Sequence, residues 1–591
     1  MSPSYPSVST PNASRGLAVL LVAAVCSVYA NSFGGPFVFD DALSIVENPT
    51  IRQLWPLNQV LSPPSGQGLT VEGRPLVNLS FAFNYAISGT APWSYHAVNL
   101  AIHALAALTL FGLVRRTLES LRSRSAPLVA FSAALIWAVH PLQTESVTYL
   151  AQRTESLMGL LLLATLYFFQ RQQFFWSLLA CALGMATKEV MVVAPLLVVL
   201  YDRTFVAGSF RAGWDRHGKF YLALASTWLL LAFLVLGAGN RGGTIGSAAG
   251  ITPWDYALCQ SCAVLHYARL ALWPSPLIFD YGTDFVSLAA AAPYLVVDLL
   301  LLTATGYALL RRPALGFIGA WYFLILAPTS SIVGGTRQML AEHRIYLSLA
   351  ALTVLAAIAA QRTLGRRWWL APLCAASALG AVTIHRNADY ASAISLYRDT
   401  AAHRPANGFA RYNLGQAYAE AARHAEAITE FEIAARLMPA AAAVPFNLGN
   451  SFVALARSTE AQAAFTTALR LNPRYPKAHY NLGNLLLERR DLSGALEHFR
   501  AVVDLDPSDL AARNNLGGVL LELGKPADAV EHLNFAAHAQ PDAFEAHFGL
   551  GNAFLLLGRH DEAVREFEAV LRLRPDLALA RERLTLARST R

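Results

Sequence analysis

The sequence predicts an all-α protein in two parts, a polytopic bundle of about eleven membrane spans and then a solenoid of short helical repeats. Three observations carry this reading. Mean hydropathy is +0.38 and only 14% of the 591 residues are charged, against roughly a quarter in soluble globular chains. The long apolar runs all precede residue 386. Beyond it, prolines recur at 405, 439, 473, 507, 541 and 575, each 34 residues after the last.

A helix needs about 20 apolar residues to cross a bilayer, somewhat fewer inside a bundle. Spans are expected at 16–33, 96–114, 126–140, 154–170, 219–238, 287–310, 313–328, 344–361 and 367–385, with two shorter ones in 173–202 meeting at Lys188-Glu189. The first apolar run has no small-residue cleavage site and is read as an uncleaved anchor. The formal charge of +7 is unevenly divided: residues 387–591 hold 22 Lys+Arg and 24 Asp+Glu, so the apolar half holds the whole basic excess. Those cations flank spans, where they set topology, and they make a nucleic-acid partner an unneeded explanation. Arg115, Arg116, Arg122 and Arg124, then Arg203, Arg211, Arg216 and Lys219, then Arg311 and Arg312, then Arg362, Arg366 and Arg367 form four such clusters. All four are cytoplasmic if 255–273, which contains His266 and Arg269, does not cross. The N-terminus is then inside and everything after His385 outside. Five cysteines include one CxxC pair, Cys259 and Cys262, too little for a zinc site.

The second half keeps its 34-residue step in Leu414-Gly415, Leu448-Gly449, Leu482-Gly483, Leu516-Gly517 and Leu550-Gly551, and in alanines 427, 461, 495, 529 and 563. Phe431, Phe465, Phe499, Leu533 and Phe567 hold a third slot. That period and those residue types are the tetratricopeptide repeat. Small residues let two antiparallel helices approach, the large one fills the gap, and proline follows the second helix. The expected organisation is a membrane domain over 1–386 with an outer loop at 34–95, and repeats over 387–591. The repeats comprise a half repeat at 387–405, five full repeats from about 408 to 577, and a capping helix to 591. Amides flank each Leu-Gly: Asn413 and Gln416, Asn447 and Asn450, Asn481 and Asn484, with Asn515 and Asn552 continuing the two columns. Positions three apart share a helix face, so stacking predicts an amide ladder suited to the backbone of an extended acceptor polypeptide. The same asparagines also suit the repeat consensus alone.

With this topology, ionisable residues beside spans gather on one face. Asp40 and Asp41 follow the first span, and His140, Glu145, Arg153 and Glu155 join the third to the fourth. Lys188 and Glu189 tip the next hairpin, and Glu342, His343 and Arg344 precede the tenth span. Boundary charges are functional candidates by default. Adjacent carboxylates can take a proton from an attacking hydroxyl or hold a divalent cation, the one cofactor this chemistry leaves open. Arg153, Lys188, His343 and Arg344 would hold a lipid-linked phosphate. His140, Glu145, Glu155, Glu189 and Glu342 would support them. Plainer roles stand beside these: Asp40-Asp41 as a helix cap, Glu342 to Arg344 as a boundary anchor, Arg153 with Glu155 as a simple pair. No Gly-rich phosphate loop, metal-spaced His/Cys set or serine elbow competes.

Taken in order, "FVFDDALSIVENPTI", "GRPLVNLSFAFNYAISG", "WSYHAVNLAIHA", "HPLQTESVTYLAQRTESL", "ATKE", "AEHRIYL" and the repeats give a chain that resembles the transmembrane and tetratricopeptide-repeat O-mannosyltransferases. The resemblance implies the multi-spanning class C glycosyltransferase fold (GT-C) and a polyprenyl-phosphate-linked sugar donor, typically dolichyl-phosphate mannose. It implies transfer to Ser or Thr of polypeptides, with Asp40 and Asp41 as the acidic motif of the first outer loop. The Ala/Leu/Arg-rich composition and compact loops suggest a bacterial relative, an integral inner-membrane protein with periplasmic repeats and an undecaprenyl-type lipid; the endoplasmic reticulum membrane is the alternative. A rival of another class is a non-enzymatic scaffold whose repeats recruit partners, which the presence of Asp40, Asp41, Lys188 and Arg344 disfavours. Transfer to a glycan or lipid instead would leave the repeats without a task.

Overall fold

The computed structural model describes residues 11–64, 70–238, 251–330 and 338–590. The cytoplasmic placement expected of residues 1–10 and part of the 34–95 loop lie outside the described residues. The described chain folds into helices and turns and divides into two compact units, the first up to Ala410 and the second from Arg411.

The first unit contains α1 (Pro11–Tyr29), α2 (Pro75–Ser88), α3 (Trp93–Ser120), α4 (Ala126–Val139), α5 (Arg153–Gln170), α6 (Phe174–Met185) and α7 (Ala194–Tyr201). It continues with α8 (Phe210–Ala238), α9 (Pro253–Leu272), α10 (Leu288–Arg311), α11 (Pro313–Leu326), α12 (Leu349–Thr363), α13 (Leu370–Asp389) and α14 (Ala393–His403). Among the described residues, four helices are long and apolar enough to cross a membrane: Ser14–Gly34, Trp93–Ser120, Phe210–Gly237 and Leu288–Arg311. A fifth exists if α4 and the turn Pro141–Thr148, bent by 56°, form one broken span. Every other segment expected to span does contain a helix, but α4, α11 and α12 have 14, 14 and 15 residues and α6 and α7 only 12 and 8, so four or five apolar spans are found where about eleven were expected. Between them Lys188 is extended (φ −157°, ψ 145°), which ends one helix before the next can start.

Apolar exposure fits lipid. In α10, Leu299, Leu300 and Leu310 are each more than 60% exposed, on a helix with almost no buried face. Such a surface suits a hydrocarbon environment. The interior is aromatic and hydrogen-bonded. Trp137 Nε1 donates to the Tyr346 carbonyl at 2.8 Å, and His103 joins the Tyr346 hydroxyl at 2.9 Å. Gly159 lets α5 pass this ring, since a Cβ there would lie 2.6 Å from Tyr346.

The first unit extends past the change of sequence period near 386. Arg386 pairs with Asp389 at 3.0 Å and with Asp399 of α14 at 2.9 Å. Asn407 donates to the Asp280 carbonyl at 3.0 Å. The segment Leu277–Asp284, between α9 and α10, is where these later residues dock; Phe279 meets Tyr390 and Tyr397 at 5.9 Å each.

In the second unit, helix pairs Ala443–Ala454/Ser458–Leu471, Pro476–Glu488/Leu492–Leu505, Leu510–Glu522/Pro526–Ala539 and Phe544–Leu556/His560–Leu573 stack in register, and Ala578–Ser589 caps them. The small-residue rule is explicit: a Cβ on Gly449 would lie 2.6 Å from Phe465. Within each of these repeats, and between the preceding helices Gly408–Glu420 and His424–Leu437, the chain reverses through a left-handed residue, Ala422, Ala456, Arg490, Gly524 or Gly558, at φ between +57° and +71°.

Candidate functional site

After α1, Gly34-Gly35-Pro36 breaks the helix, and Phe39 turns the chain at φ +50° into the short helical turn that Asp40 and Asp41 begin. The turn separates the two carboxylates. Asp41 is fully buried; Oδ2 accepts the Val38 N–H at 3.0 Å and Oδ1 accepts the Ala151 N–H at 2.6 Å. It staples the first loop to the turn before α5. Burial pushes its pKa up to about 8, against the lowering effect of these N–H groups and that of Leu150. Asp40 is half-buried, with Oδ2 accepting the Thr70 hydroxyl at 2.9 Å. The Tyr149 hydroxyl takes the Asp40 N–H at 3.1 Å. Burial raises the Asp40 carboxyl above its usual range; Thr70, Tyr149 and the charge of Arg74 hold it down.

Electrostatically linked to this pair is a set of buried and half-buried titratable groups, each with partners. Lys188 Nζ pairs with Glu155. Arg74 Nη2 pairs with Glu189 at 3.1 Å and Nη1 donates to the Thr70 carbonyl at 2.7 Å. His343 is fixed to Glu145 twice, Nδ1 to Oε1 at 2.7 Å and N–H to Oε2 at 2.8 Å. Burial and the nearby Lys188 charge hold this imidazole well below its ordinary pKa. Glu342 accepts the Ile278 N–H at 2.5 Å and the Tyr281 hydroxyl at 2.9 Å. Burial lifts its carboxyl to about 7, with Arg386 lowering it and Glu145 raising it. The charges act on one another: Arg74 on Asp40 and His343, Lys188 on His343 and Glu145. The cluster is one electrostatic unit with paired signs.

Other residues singled out in the sequence have braced positions. Arg153, fully buried, donates to Asn99, Ser80, Asn84 and the Tyr95 carbonyl, and stacks on Phe81 at 4.6 Å. All three guanidinium nitrogens therefore tie α2 and α3 to α5. Arg344 donates to the carbonyls of Gln338, Thr329 and Met339 and to the Tyr256 hydroxyl. His140 caps the turn at Pro141, accepting the Leu142 N–H at 3.2 Å, and its other nitrogen lies 3.1 Å from the Ala271 carbonyl. Among the described residues no group of three or more His, Cys, Asp or Glu converges as metal ligands. The carboxylates above face cations, hydroxyls or backbone N–H groups instead.

Sequence reasoning missed Arg74, Thr70 and Tyr149, which shape Asp40, and the Leu277–Asp284 segment. Arg74 had a signal: a lone cation before Pro75 at the start of an apolar helix. Tyr149 and Phe279 had none, because their contacts join residues more than 100 positions apart.

In the second unit the amide columns do pair. Asn481 donates to Asn450 at 2.7 Å and Asn515 to Asn484 at 3.0 Å, while Asn447 donates to the Tyr412 hydroxyl at 2.7 Å. Asn413 and Asn552 are half-buried at the matching positions. The next rung is glycine on both sides, Gly518 and Gly549.

A profile of the tetratricopeptide repeat matches residues 386–442, 446–509 and 514–578. The chain is 27% identical over 431 residues to protein O-mannosyl-transferase F38B6.6 of Caenorhabditis elegans, covering 69% of this chain and 61% of that one. It is 26% identical over 488 residues to the mouse protein O-mannosyl-transferase TMTC4, covering 70% and 65%. A shorter stretch of 163 residues is 37% identical to mouse TMTC1, covering 26% and 17%. The chain thus spans less than two thirds of the length of these relatives. Among solved structures, the tetratricopeptide-repeat protein YrrB aligns with TM-score 0.31 at 20% identity, covering 32% of this chain and 98% of that one.

Proposed function

We propose that this chain, similar over 431 and 488 residues to protein O-mannosyl-transferases and itself carrying tetratricopeptide repeats, transfers a mannose-like sugar from a polyprenyl-phosphate-linked donor to Ser or Thr hydroxyls of a polypeptide. The observation that carries the reading is Asp40: a half-buried carboxylate at the end of the first span, bracketed by the Thr70 and Tyr149 hydroxyls and facing the Arg74 charge. Its raised pKa brings it closer to the working pH than an ordinary carboxylate, as a general base requires. In the reaction the acceptor oxygen forms a bond to the anomeric carbon, its proton passes to Asp40, and the bond from that carbon to the phosphate oxygen breaks. The phosphate leaves with the electron pair. Lys188, with Arg344 and His343 beside it, would steady the growing negative charge by moving partly from Glu155 toward the phosphate. Asp41 and Arg153 position the loops that hold Asp40. The repeats would present the acceptor along the amide ladder. In this reading the first unit lies in an inner membrane, α6 and α7 form a hairpin that meets at Lys188, α9 does not cross, and the repeats are periplasmic.

The test is transfer of labelled sugar from a polyprenyl-phosphate donor to a Ser/Thr peptide by the purified protein in nanodiscs. Transfer that depends on Asp40 supports the proposal. A well-folded wild type that binds peptides and transfers nothing from any polyprenyl-phosphate hexose would make the protein a scaffold.

A further inference from the structure

Phe39 adjoins Asp40 with its backbone at φ +50°, a region where Cβ is crowded and bulky residues are outliers. Its ring is 48% exposed. The ring contact it does make is to Phe279, edge to face at 5.9 Å and 87°. Phe279 is buried and in turn touches Tyr149 at 5.4 Å and Tyr397 of α14 at 5.9 Å. A strained backbone therefore holds an open aromatic ring against a fixed stack, beside the carboxylate read as the base. Fold alone would favour glycine or asparagine at such a turn, and strain of this kind collects where a ligand is bound.

We propose that the Phe39 ring is a contact for the acceptor polypeptide, covering the residues that flank the Ser or Thr presented to Asp40. The inference rests on the proposed transferase activity and adds to it. The side of Asp40 decides between the two substrates. The buried cations suited to a donor phosphate are reached from Asp40 through Thr70 and Arg74. The Phe39 ring lies instead against Phe279, which besides Tyr149 meets Tyr390 and Tyr397, the latter on α14, the helix that opens the repeat-like sequence. A flat apolar ring beside a general base suits the side chains around an acceptor hydroxyl, which vary in sequence and need a contact without hydrogen-bond demands.

The experiment is steady-state transfer by the full-length protein in nanodiscs with acceptor and donor varied separately. Phe39→Ala is expected to raise the acceptor KM about tenfold, the scale of losing one aromatic contact, with donor KM unchanged and melting temperature kept; Phe39→Tyr restores it. Incorporating p-benzoylphenylalanine in place of Phe39 should give a light-dependent cross-link to the acceptor peptide. A rise in donor KM alone, or cross-links only to donor or phospholipid, overturns the assignment. So does equal loss toward both substrates with a lowered melting temperature, the mark of a structural ring. A wild type without transfer removes the activity and this contact together, whereas an active wild type matched by Phe39→Ala removes the contact alone.

Discussion

Replacing each of the adjacent acids with asparagine separates their roles. At Asp41 both oxygens accept backbone N–H groups, from Val38 at 3.0 Å and Ala151 at 2.6 Å, with no exposure to water. Asparagine keeps one oxygen and turns an NH2 group toward the other N–H. One bond is lost and a buried donor is left facing a donor, costing about 2–4 kcal/mol from the lost bond and the unsatisfied group together. At Asp40 the Thr70 hydroxyl can still donate to an asparagine oxygen, and the site is half-open, so the expected cost is below about 1 kcal/mol. Its carboxylate is the proposed base, and an amide accepts no proton at working pH. Asp40→Asn should therefore melt within about 2 °C of wild type while sugar transfer falls about 100-fold or more. Asp41→Asn should melt several degrees lower, with turnover of the surviving folded fraction closer to wild type. Thermal melting of the purified proteins and peptide glycosylation from a polyprenyl-phosphate donor read both effects. Wild-type turnover from Asp40→Asn, or an unchanged melting curve for Asp41→Asn, would refute the division of labour.

Thr70→Val removes a hydroxyl that holds the Asp40 pKa down, so the acid limb of the kcat/KM profile should move to higher pH; a shift to lower pH would contradict the contact. Lys188→Met leaves Glu155 buried without its cation and should destabilise by about 3–5 kcal/mol, whereas Lys188→Met with Glu155→Leu should recover most of that. Transfer that also recovers in the double variant would show that Lys188 serves the fold alone. In the second unit Ala456→Gly relieves a left-handed alanine at φ +57° and should stabilise the repeats by about 1 kcal/mol, measured by denaturant unfolding. Loss of stability there would mean the alanine methyl is packed.

What was legible in the sequence follows the range of the interactions. The repeats declared themselves because Gly449 against Phe465 and its counterparts recur with a fixed step and lie within one helix pair. Helix positions in the first unit were legible from apolar runs, the break of 173–202 at Lys188 included, but length was not: α6 and α7 end at 12 and 8 residues, shorter than a crossing. The candidate site was only half legible. Asp40 and Asp41 look alike as neighbours, and what distinguishes them comes from Thr70, Tyr149 and Ala151, each 30 or more positions away. Arg153 read as a phosphate ligand because the sequence shows its charge; the oxygen acceptors around it lie in α2 and α3 and carry no charge pattern.

The docking of α14 also bears on how such chains can be recombined. A fusion point chosen at residue 386, where the sequence period changes, would cut between Arg386 and its partner Asp399 and strip Tyr397 and Asn407 from Phe279 and Asp280. Repeats imported from another protein at that point would bring their own first helix to a surface that does not match it. A graft that starts with the helix Gly408–Glu420 keeps α14 and Asn407 with the segment they fit. Repeat arrays could then be lengthened, shortened or exchanged to redirect what is presented, while the groups around Asp40 keep their supports.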